Sequence, residues 1–290
     1  MPDGDTIRIA LLQHACDVDP AVNLDKAEAM AREAADQGAE LIVTQELFTS
    51  QYFPQQQDPA RFELAEPIPG PTSQRFGELA AELKIPISAS LFEQRATGVY
   101  HNTTVTIDAF GQIVDKYRKM HIPDDPCFYE KFYFTPGDLG FRTQQVGKVT
   151  TGTLVCWDQW FPEAARLTAM QGAQLLLYPT AIATMPDESA EERRRARDAW
   201  QTMQRAHAIA NGVFVAACNR VGVEDDLNFW GSSFVVDPGG TVIAQADETS
   251  EQVLVADCDL SLIGTYRKIW PFLRDRRIDE YDGLTKRFLD

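Results

Sequence analysis

Apolar residues in this chain fall into short dense runs, separated by stretches where they recur every three or four positions. Ile7-Arg-Ile-Ala-Leu-Leu-Gln13 is a run of the buried-strand kind. Asp19-Pro20 then opens an amphipathic helix to about Gln37, with Leu24, Ala27, Ala31 and Ala35 on one face and Gly38 as its stop. Ala39–Glu46 reads as the next strand and ends in a carboxylate. The same order returns later: a strand over 150–156, a helix over about 161–171, then Gly172-Ala-Gln-Leu-Leu-Leu-Tyr178-Pro179. The opening of that last run mirrors Gly38-Ala-Glu-Leu-Ile-Val. A recurring strand–helix–strand unit predicts one pseudo-symmetric domain; chance likeness of short buried strands is the competing explanation.

Between the two units lie a loop rich in Gln, Pro and Asp (50–71), a helix near 72–84 and a strand over 85–91. A hairpin of 102–108 and 113–117 follows, turning at Ala109-Phe-Gly111. The irregular stretch 119–140 is too long for an idle connector in a compact domain. Ser189 and Glu192 have capping-box spacing for a helix over 189–211, whose stripe Trp200, Met203, His207, Ala210 reads as core. Arg193–Arg195 and Arg197 read as its solvated face, with a subunit contact as the alternative. Strands are predicted at 213–218, 231–237, 241–246 and 252–258, with a turn at Asp237-Pro-Gly-Gly240. Many strands, few helices and several hairpins imply an α/β layered sandwich with mixed sheets. Residues 1–265 are expected to form a single domain. Residues 266–290, with Ile269-Trp-Pro-Phe-Leu273 among charges, are expected to be a C-terminal extension that packs on a partner subunit.

Composition changes the picture only by exclusion. The formal charge of −16 argues against nucleic acid and is compatible with a cationic substrate. No apolar stretch approaches the ~20 residues of a membrane span, and the N-terminal Met1-Pro-Asp-Gly-Asp-Thr lacks the features of a signal peptide. Five scattered cysteines argue for a reducing cytoplasm rather than a disulfide framework. No His or Cys pair has zinc-ligand spacing, so no metal is expected. Asn102-Thr-Thr104 has the form of a glycosylation acceptor, without meaning in that compartment.

The chemistry-bearing stretch is Thr151-Gly-Thr-Leu-Val-Cys156-Trp-Asp-Gln-Trp160-Phe-Pro-Glu163. It reads as a strand delivering a cysteine to the edge of a sheet, with the opening turn of a helix at 160–163. Such an elbow points backbone N–H groups at a developing oxyanion, although a free cysteine is more commonly a small buried hydrophobe. Glu46 ends one buried strand, Cys156 ends its repeat-mate, and Lys119 ends the strand before 119–140. A carboxylate can take the thiol proton and an ammonium can hold an oxyanion, yet Glu46 and Lys119 can equally form an ordinary ion pair. A Cys156–His207 dyad is compatible with the spacing, while His207 fits the buried stripe better.

Gln45-Glu46, Tyr117-Arg-Lys119-Met-His121 and Val155-Cys156-Trp-Asp158 with Pro162-Glu163 together resemble the nitrilase, or carbon–nitrogen hydrolase, superfamily over nearly the whole chain. The resemblance implies a four-layer α-β-β-α sandwich with a pseudo-two-fold repeat, homodimers or larger homo-oligomers, and no cofactor. It carries over Glu46 as general base, Lys119 as oxyanion stabiliser and Cys156 as nucleophile. Glu130, in Glu130-Lys-Phe-Tyr-Phe-Thr-Pro-Gly-Asp138, is carried over as the group that orients Lys119 and contacts substrate, and the Trp157 N–H as the second oxyanion donor. His121-Ile-Pro-Asp124, Phe128–Phe134, Cys156–Trp160 and Tyr178-Pro-Thr-Ala-Ile182 are similar to the branch that hydrolyses N-carbamoylputrescine. Gln159 and Trp160 stand where relatives that take N-carbamoyl amino acids carry arginine to grip a carboxylate. Trp157, Trp160, Tyr52 and Phe53 are candidates for a slot that holds a methylene chain. Met185 departs from the branch by replacing the acid expected to meet the distal ammonium, and Asp187 and Glu188 are the candidate substitutes. The alternatives are an ω-amidase, a ureidopropionase-like enzyme, an aliphatic amidase, or a silent binding module on the same fold.

Overall fold

The structure is a computed structural model that describes residues 5–185 and 187–289, so expectations touching Met1–Gly4, Pro186 and Asp290 lie outside the described residues. The first half runs β1 (Thr6–Gln13), α1 (Pro20–Asp36), β2 (Leu41–Thr44), α2 (Pro71–Leu83), β3 (Ile87–Ala96), β4 (Val99–Ile107) and β5 (Ile113–Arg118). The second runs α3 (Glu130–Tyr133), β6 (Gln144–Val146), β7 (Val149–Thr153), α4 (Pro162–Met170), β8 (Leu175–Pro179), β9 (Ala183–Thr184) and α5 (Ala190–Asn211). It continues through β10 (Phe214–Cys218), β11 (Val221–Glu224), β12 (Leu227–Trp230), β13 (Phe234–Val236), β14 (Val242–Gln245), β15 (Gln252–Asp259) and α6 (Ser261–Ile269).

Among the described residues twelve strands form two six-stranded sheets, ordered β15-β1-β2-β3-β4-β5 and β6-β7-β8-β10-β13-β14, read so that their counterparts align, and the other strands form a three-stranded sheet, β11-β12-β9. In each six-stranded sheet, an antiparallel strand flanks a parallel trio that continues into two antiparallel strands. This is the pseudo-two-fold repeat read from Gly38 and Gly172: β2 corresponds to β8. One expectation is corrected by the same order. Cys156 follows β7, whose counterpart is β1 and not the strand that leads to Glu46, so the two residues do not end repeat-mates.

Strand periodicity builds the layers. Ile7, Ile9 and Leu11 face the second sheet, where Leu175, Leu177, Phe214 and Ala216 meet them. The alternate residues Ala10 and Leu12 face Ala27, Ala31 and Ala34 of α1, with Phe76, Leu79 and Ala80 of α2 in the same cluster. On the other side, Leu176, Tyr178, Val215 and Ala217 pack with Ala164 and Ala165 of α4 and Trp200 and Ala208 of α5. The result is a helix–sheet–sheet–helix sandwich with three apolar interfaces. Helix α5 starts with the expected box: Ser189 accepts from Glu192 N and the Glu192 carboxylate accepts from Ser189 N. Its buried stripe is Trp200, Gln204, His207, Ala208 and Asn211, so Met203 and Ala210 stand at the margin of the core.

The sequence reading missed the hairpin β11–β12, where Val221 and Val223 alternate with Gly222 and Glu224 before a turn at Asp225-Asp226. The boundary expected at 265 falls inside α6, which runs on to Ile269. Beyond it Trp270, Phe272, Ile278, Leu284, Phe288 and Leu289 are exposed. Among the described residues no helix is long and apolar enough to cross a membrane.

Candidate active site

The site lies where the carboxyl ends of β2, β5 and β7 meet. Beyond β5 the chain is fixed before any chemistry is considered. Lys119 N donates to Asn102 O and Gly137 N donates to Lys119 O, both at 2.8 Å. Gly137 lies so close to that segment that a Cβ would stand 2.0 Å from Arg118 O. Arg118 itself is tied by paired bonds to Glu93 at 2.8 Å and by a third to Asp138.

Glu46, Lys119 and Glu130 are all 0% exposed and form one cluster. The Lys119 Nζ donates to Glu46 Oε1 at 2.8 Å and to Glu130 Oε1 and Oε2 at 2.8 and 2.7 Å. Burial opposes its charge, but Glu130, Glu46 and Cys156 outweigh burial and hold the ammonium pKa above its ordinary value. For Glu130 burial wins: despite Lys119, its carboxyl is pushed up to about 7. Asn102 Nδ2 donates to Glu46 Oε1 at 2.7 Å, while the buried Glu46 Oε2 has no partner among the described residues. One carboxylate oxygen is thus saturated and the other is free to accept a proton.

Cys156 is not the last residue of its strand. Strand β7 ends at Thr153, and Cys156 opens a short 3₁₀ turn, Cys156–Trp160, with φ +43°. A non-glycine residue in that region costs about 1–3 kcal/mol and marks a place where the chain is forced to aim a side chain. Helix α4 begins only at Pro162, so the 3₁₀ turn, rather than the first turn of the helix, follows the cysteine directly. The thiol lies 3.9 Å from Ala181 O. Burial, then Glu46, push its pKa well above the ordinary value, with Lys119 pulling the other way. The resting group is therefore the neutral thiol, and its proton must leave as the sulfur attacks.

Cys156 and Glu130 open onto a cavity of about 620 Å³, also lined by Phe128, Trp157, Trp160 and Trp230. Its charged wall residues are Asp125, Glu130, Asp187 and Glu188, with Met185 also on the wall and neither Lys nor Arg among the described lining. Four of the six candidate binding residues, Trp157, Trp160, Asp187 and Glu188, are thus on the wall. Tyr52 is not. It is buried beneath, and its hydroxyl donates to Glu130 Oε1 at 2.6 Å. Phe53 packs in the aromatic cluster with Phe92 and Tyr133. His207 is also separate from the thiol: its Nε2 meets Gln159 O at 2.8 Å.

Sequence reasoning missed three supports. Asn102, read as part of a glycosylation acceptor, is buried against Glu46. Arg220 is fully buried, donates to the carbonyls of Glu46, Leu47 and Ser50 at 2.6, 3.1 and 3.1 Å, and pairs with Glu224 at 2.9 Å. Asp158 is buried between the Lys119 and Cys156 segments. Only Asp158 carried a local signal, its place two residues after the cysteine. Among the described residues no group of three His, Cys, Asp or Glu is arranged to hold a metal ion.

Residues 8–268 match the carbon–nitrogen hydrolase family, and the chain belongs to it. It is a hydrolase acting on carbon–nitrogen bonds. It is 44% identical to an N-carbamoylputrescine amidase of Arabidopsis thaliana, over 95% of this chain and 94% of the plant protein. A citrullinase of Francisella tularensis is 39% identical over 97% of this chain and 99% of its own length. Among solved structures, a carbon–nitrogen hydrolase from Helicobacter pylori superposes with a TM-score of 0.95 at 44% identity, covering 98% of this chain and all of that one (100%).

Proposed function

We propose that this chain removes the carbamoyl group of N-carbamoylputrescine, giving putrescine, carbon dioxide and ammonia. Cys156 Sγ attacks the carbamoyl carbon while Glu46 Oε2 takes the thiol proton. The oxyanion is held by the Lys119 ammonium and the Trp157 N–H. Glu46 returns the proton to the departing ammonia, leaving a thioester that carries the polyamine nitrogen. Glu46 then deprotonates a water as it bonds to the carbonyl carbon, the C–S bond breaks as Glu46 returns that proton to Cys156 Sγ, and the carbamate so released decomposes to amine and carbon dioxide. Glu130 keeps Lys119 in place, with Tyr52 behind it.

The observation that carries this reading is the cavity wall: a thiol among aromatic rings, and carboxylates as its charged groups. A butylammonium chain fits rings along its length and Asp187 or Glu188 at its end. Citrulline or an N-carbamoyl amino acid would bring a carboxylate to a wall without a basic partner.

The test is ammonia release from N-carbamoylputrescine beside citrulline, N-carbamoyl-β-alanine, glutamine and a plain aliphatic amide, with Cys156→Ala as blank. We expect N-carbamoylputrescine to lead by at least about tenfold in kcat/KM, the scale of one lost charge contact. Asp187→Asn with Glu188→Gln should raise its KM about tenfold at unchanged kcat. Preference for an anionic ureide would overturn the substrate and leave the cysteine chemistry standing.

The exposed Trp270, Phe272, Ile278 and Leu284 support packing of the C-terminal extension, 266–290, on a second copy in a homo-oligomer. Five free cysteines support a cytoplasmic location.

A further inference from the structure

Lys119 and Cys156 sit on segments that no direct bond between their side chains holds together. The ammonium is taken up by Glu46 and Glu130, and the thiol is directed at Ala181 O, 3.9 Å away. One buried carboxylate joins the two segments instead. Asp158 Oδ2 accepts from Val155 N, the residue before Cys156, and from the Tyr117 hydroxyl, both at 2.8 Å. Asp158 Oδ1 accepts from His121 N at 3.0 Å and lies 2.7 Å from His121 Nδ1. Tyr117 and His121 bracket Lys119 two residues to either side. Asp158 N donates to Val155 O at 3.0 Å, closing the turn from its other side. His121 is further fixed by stacking on Phe161, with ring centroids 3.7 Å apart and planes at 6°.

We propose that Asp158 is a positioning residue that sets the spacing between Lys119 and Cys156. The inference rests on the roles given above to those two residues. Each carboxylate oxygen faces two donors, so asparagine is no conservative substitute. Whichever way its amide turns, the NH₂ confronts a backbone N–H, of Val155 or of His121, and either the elbow or the lysine segment is released. The left-handed Cys156 then relaxes, and the lysine field at the sulfur weakens.

The test has two readouts. In steady state, Asp158→Asn should lower kcat about a hundredfold with KM within about threefold, as a misplaced reacting group does. Independently of any substrate, alkylation of Cys156 by iodoacetamide at pH 8 should slow about tenfold, because ionisation of the thiol becomes rarer when its cation is displaced. Should Asp158→Asn not fold, Tyr117→Phe removes one of the bonds and should lower both readouts severalfold. Val235→Ala, in the inter-sheet core, controls for destabilisation alone and should move Tm without moving either readout. The proposal is overturned if a folded Asp158→Asn keeps both rates within about twofold, or if Val235→Ala at matched Tm loses as much. If native protein turns over no ureide, the substrate reading fails, and the alkylation arm still decides the role of Asp158.

Discussion

The two halves of this molecule share a scaffold and divide the chemistry unequally. The Gly38/Gly172 register sets Thr180 opposite Glu46. The pairings Ile9 with Leu41 and Thr151 with Leu175 then set His14 opposite Cys156. In the proposed mechanism the first half supplies Glu46 and Lys119 but carries His14 where a nucleophile would be. The second supplies Cys156 but carries Thr180 where a base would be. The counterparts touch across the pseudo-axis: Glu46 N donates to Thr180 O at 3.4 Å. His14 and Thr180 do structural work, His14 N bonding Gln45 Oε1 at 3.0 Å and the Thr180 hydroxyl donating to Tyr178 O at 3.0 Å. The sheets fix where strand ends arrive; the few residues beyond each end decide whether an end reacts.

Exchanging the asymmetric pair gives the largest expected effect. Glu46→Gln keeps the shape, the bond from Lys119 and the link to Thr180, but removes the proton acceptor. We expect kcat to fall about 10³-fold, within the range for general bases, with KM little changed. Thr180→Ser, at the counterpart position, should stay within about threefold. Comparable losses in both would mean that the site depends on packing at the pseudo-axis rather than on a base.

Arg220 joins the halves from the other direction, reaching from the end of β10 to the carbonyls beyond β2. Arg220→Met strands Glu224 and several buried carbonyls. It should cost about 3–5 kcal/mol of stability, the scale for breaking a buried pair, measured by urea unfolding. A loss below about 1 kcal/mol would show that the loop carrying Glu46 and Tyr52 is held by its own packing.

The contrast between the halves also shows what the sequence could reveal. The repeat was legible because buried strands leave dense apolar runs and glycines stop helices, both local signals. Glu46, Lys119 and Cys156 were legible as chemistry-bearing residues that follow buried strands, and the family motifs singled out Glu130. The kink at Cys156 was not legible, because positive φ at a cysteine has no side-chain signature. Nor were Asn102 and Arg220, whose partners lie 56 and 174 residues away in the chain. Tyr52 was misplaced for a related reason: an aromatic ring near a site looks the same in sequence whether it lines a slot or supports an acid. The β11–β12 hairpin was readable from its alternation around Asp225-Asp226 and was passed over for the strand after it.

The next effect separates the halves by pH. Glu130 titrates at about 7 in the native site, against an ordinary value near 4.5, because burial disfavours its charge. As pH falls through 7 the group takes up a proton and loosens its hold on Lys119. The profile of kcat/KM should therefore show an acid limb near pH 7, with rates roughly tenfold lower per unit below it. Glu130→Gln should be slower throughout and lack that limb. A limb that survives the substitution belongs to another group.

His14, opposite Cys156, should titrate in stability and leave catalysis alone. It is buried and neutral, its pKa lowered to about 4 by burial first and by Arg220 and Lys26 after it, against the opposing bond to Ala15 O. The unfolded chain protonates His14 near pH 6.5 and the folded chain does not, so the unfolded state gains protons between those two values. Stability is then full above pH 6.5 and is lost as pH falls toward 4, by about 2 kcal/mol at pH 5. Removing the group removes that share of the acid sensitivity whatever the substitution does to absolute stability. The quantity to measure is therefore the difference in unfolding free energy between pH 7 and pH 5. His14→Gln should shrink it by about 2 kcal/mol, with kcat at pH 8 within about threefold of native. An unchanged difference would mean that His14 is protonated in the folded protein. The position opposite Cys156 would then hold a buried charge within reach of Glu251, and the two strand ends would be more alike than their surroundings suggest.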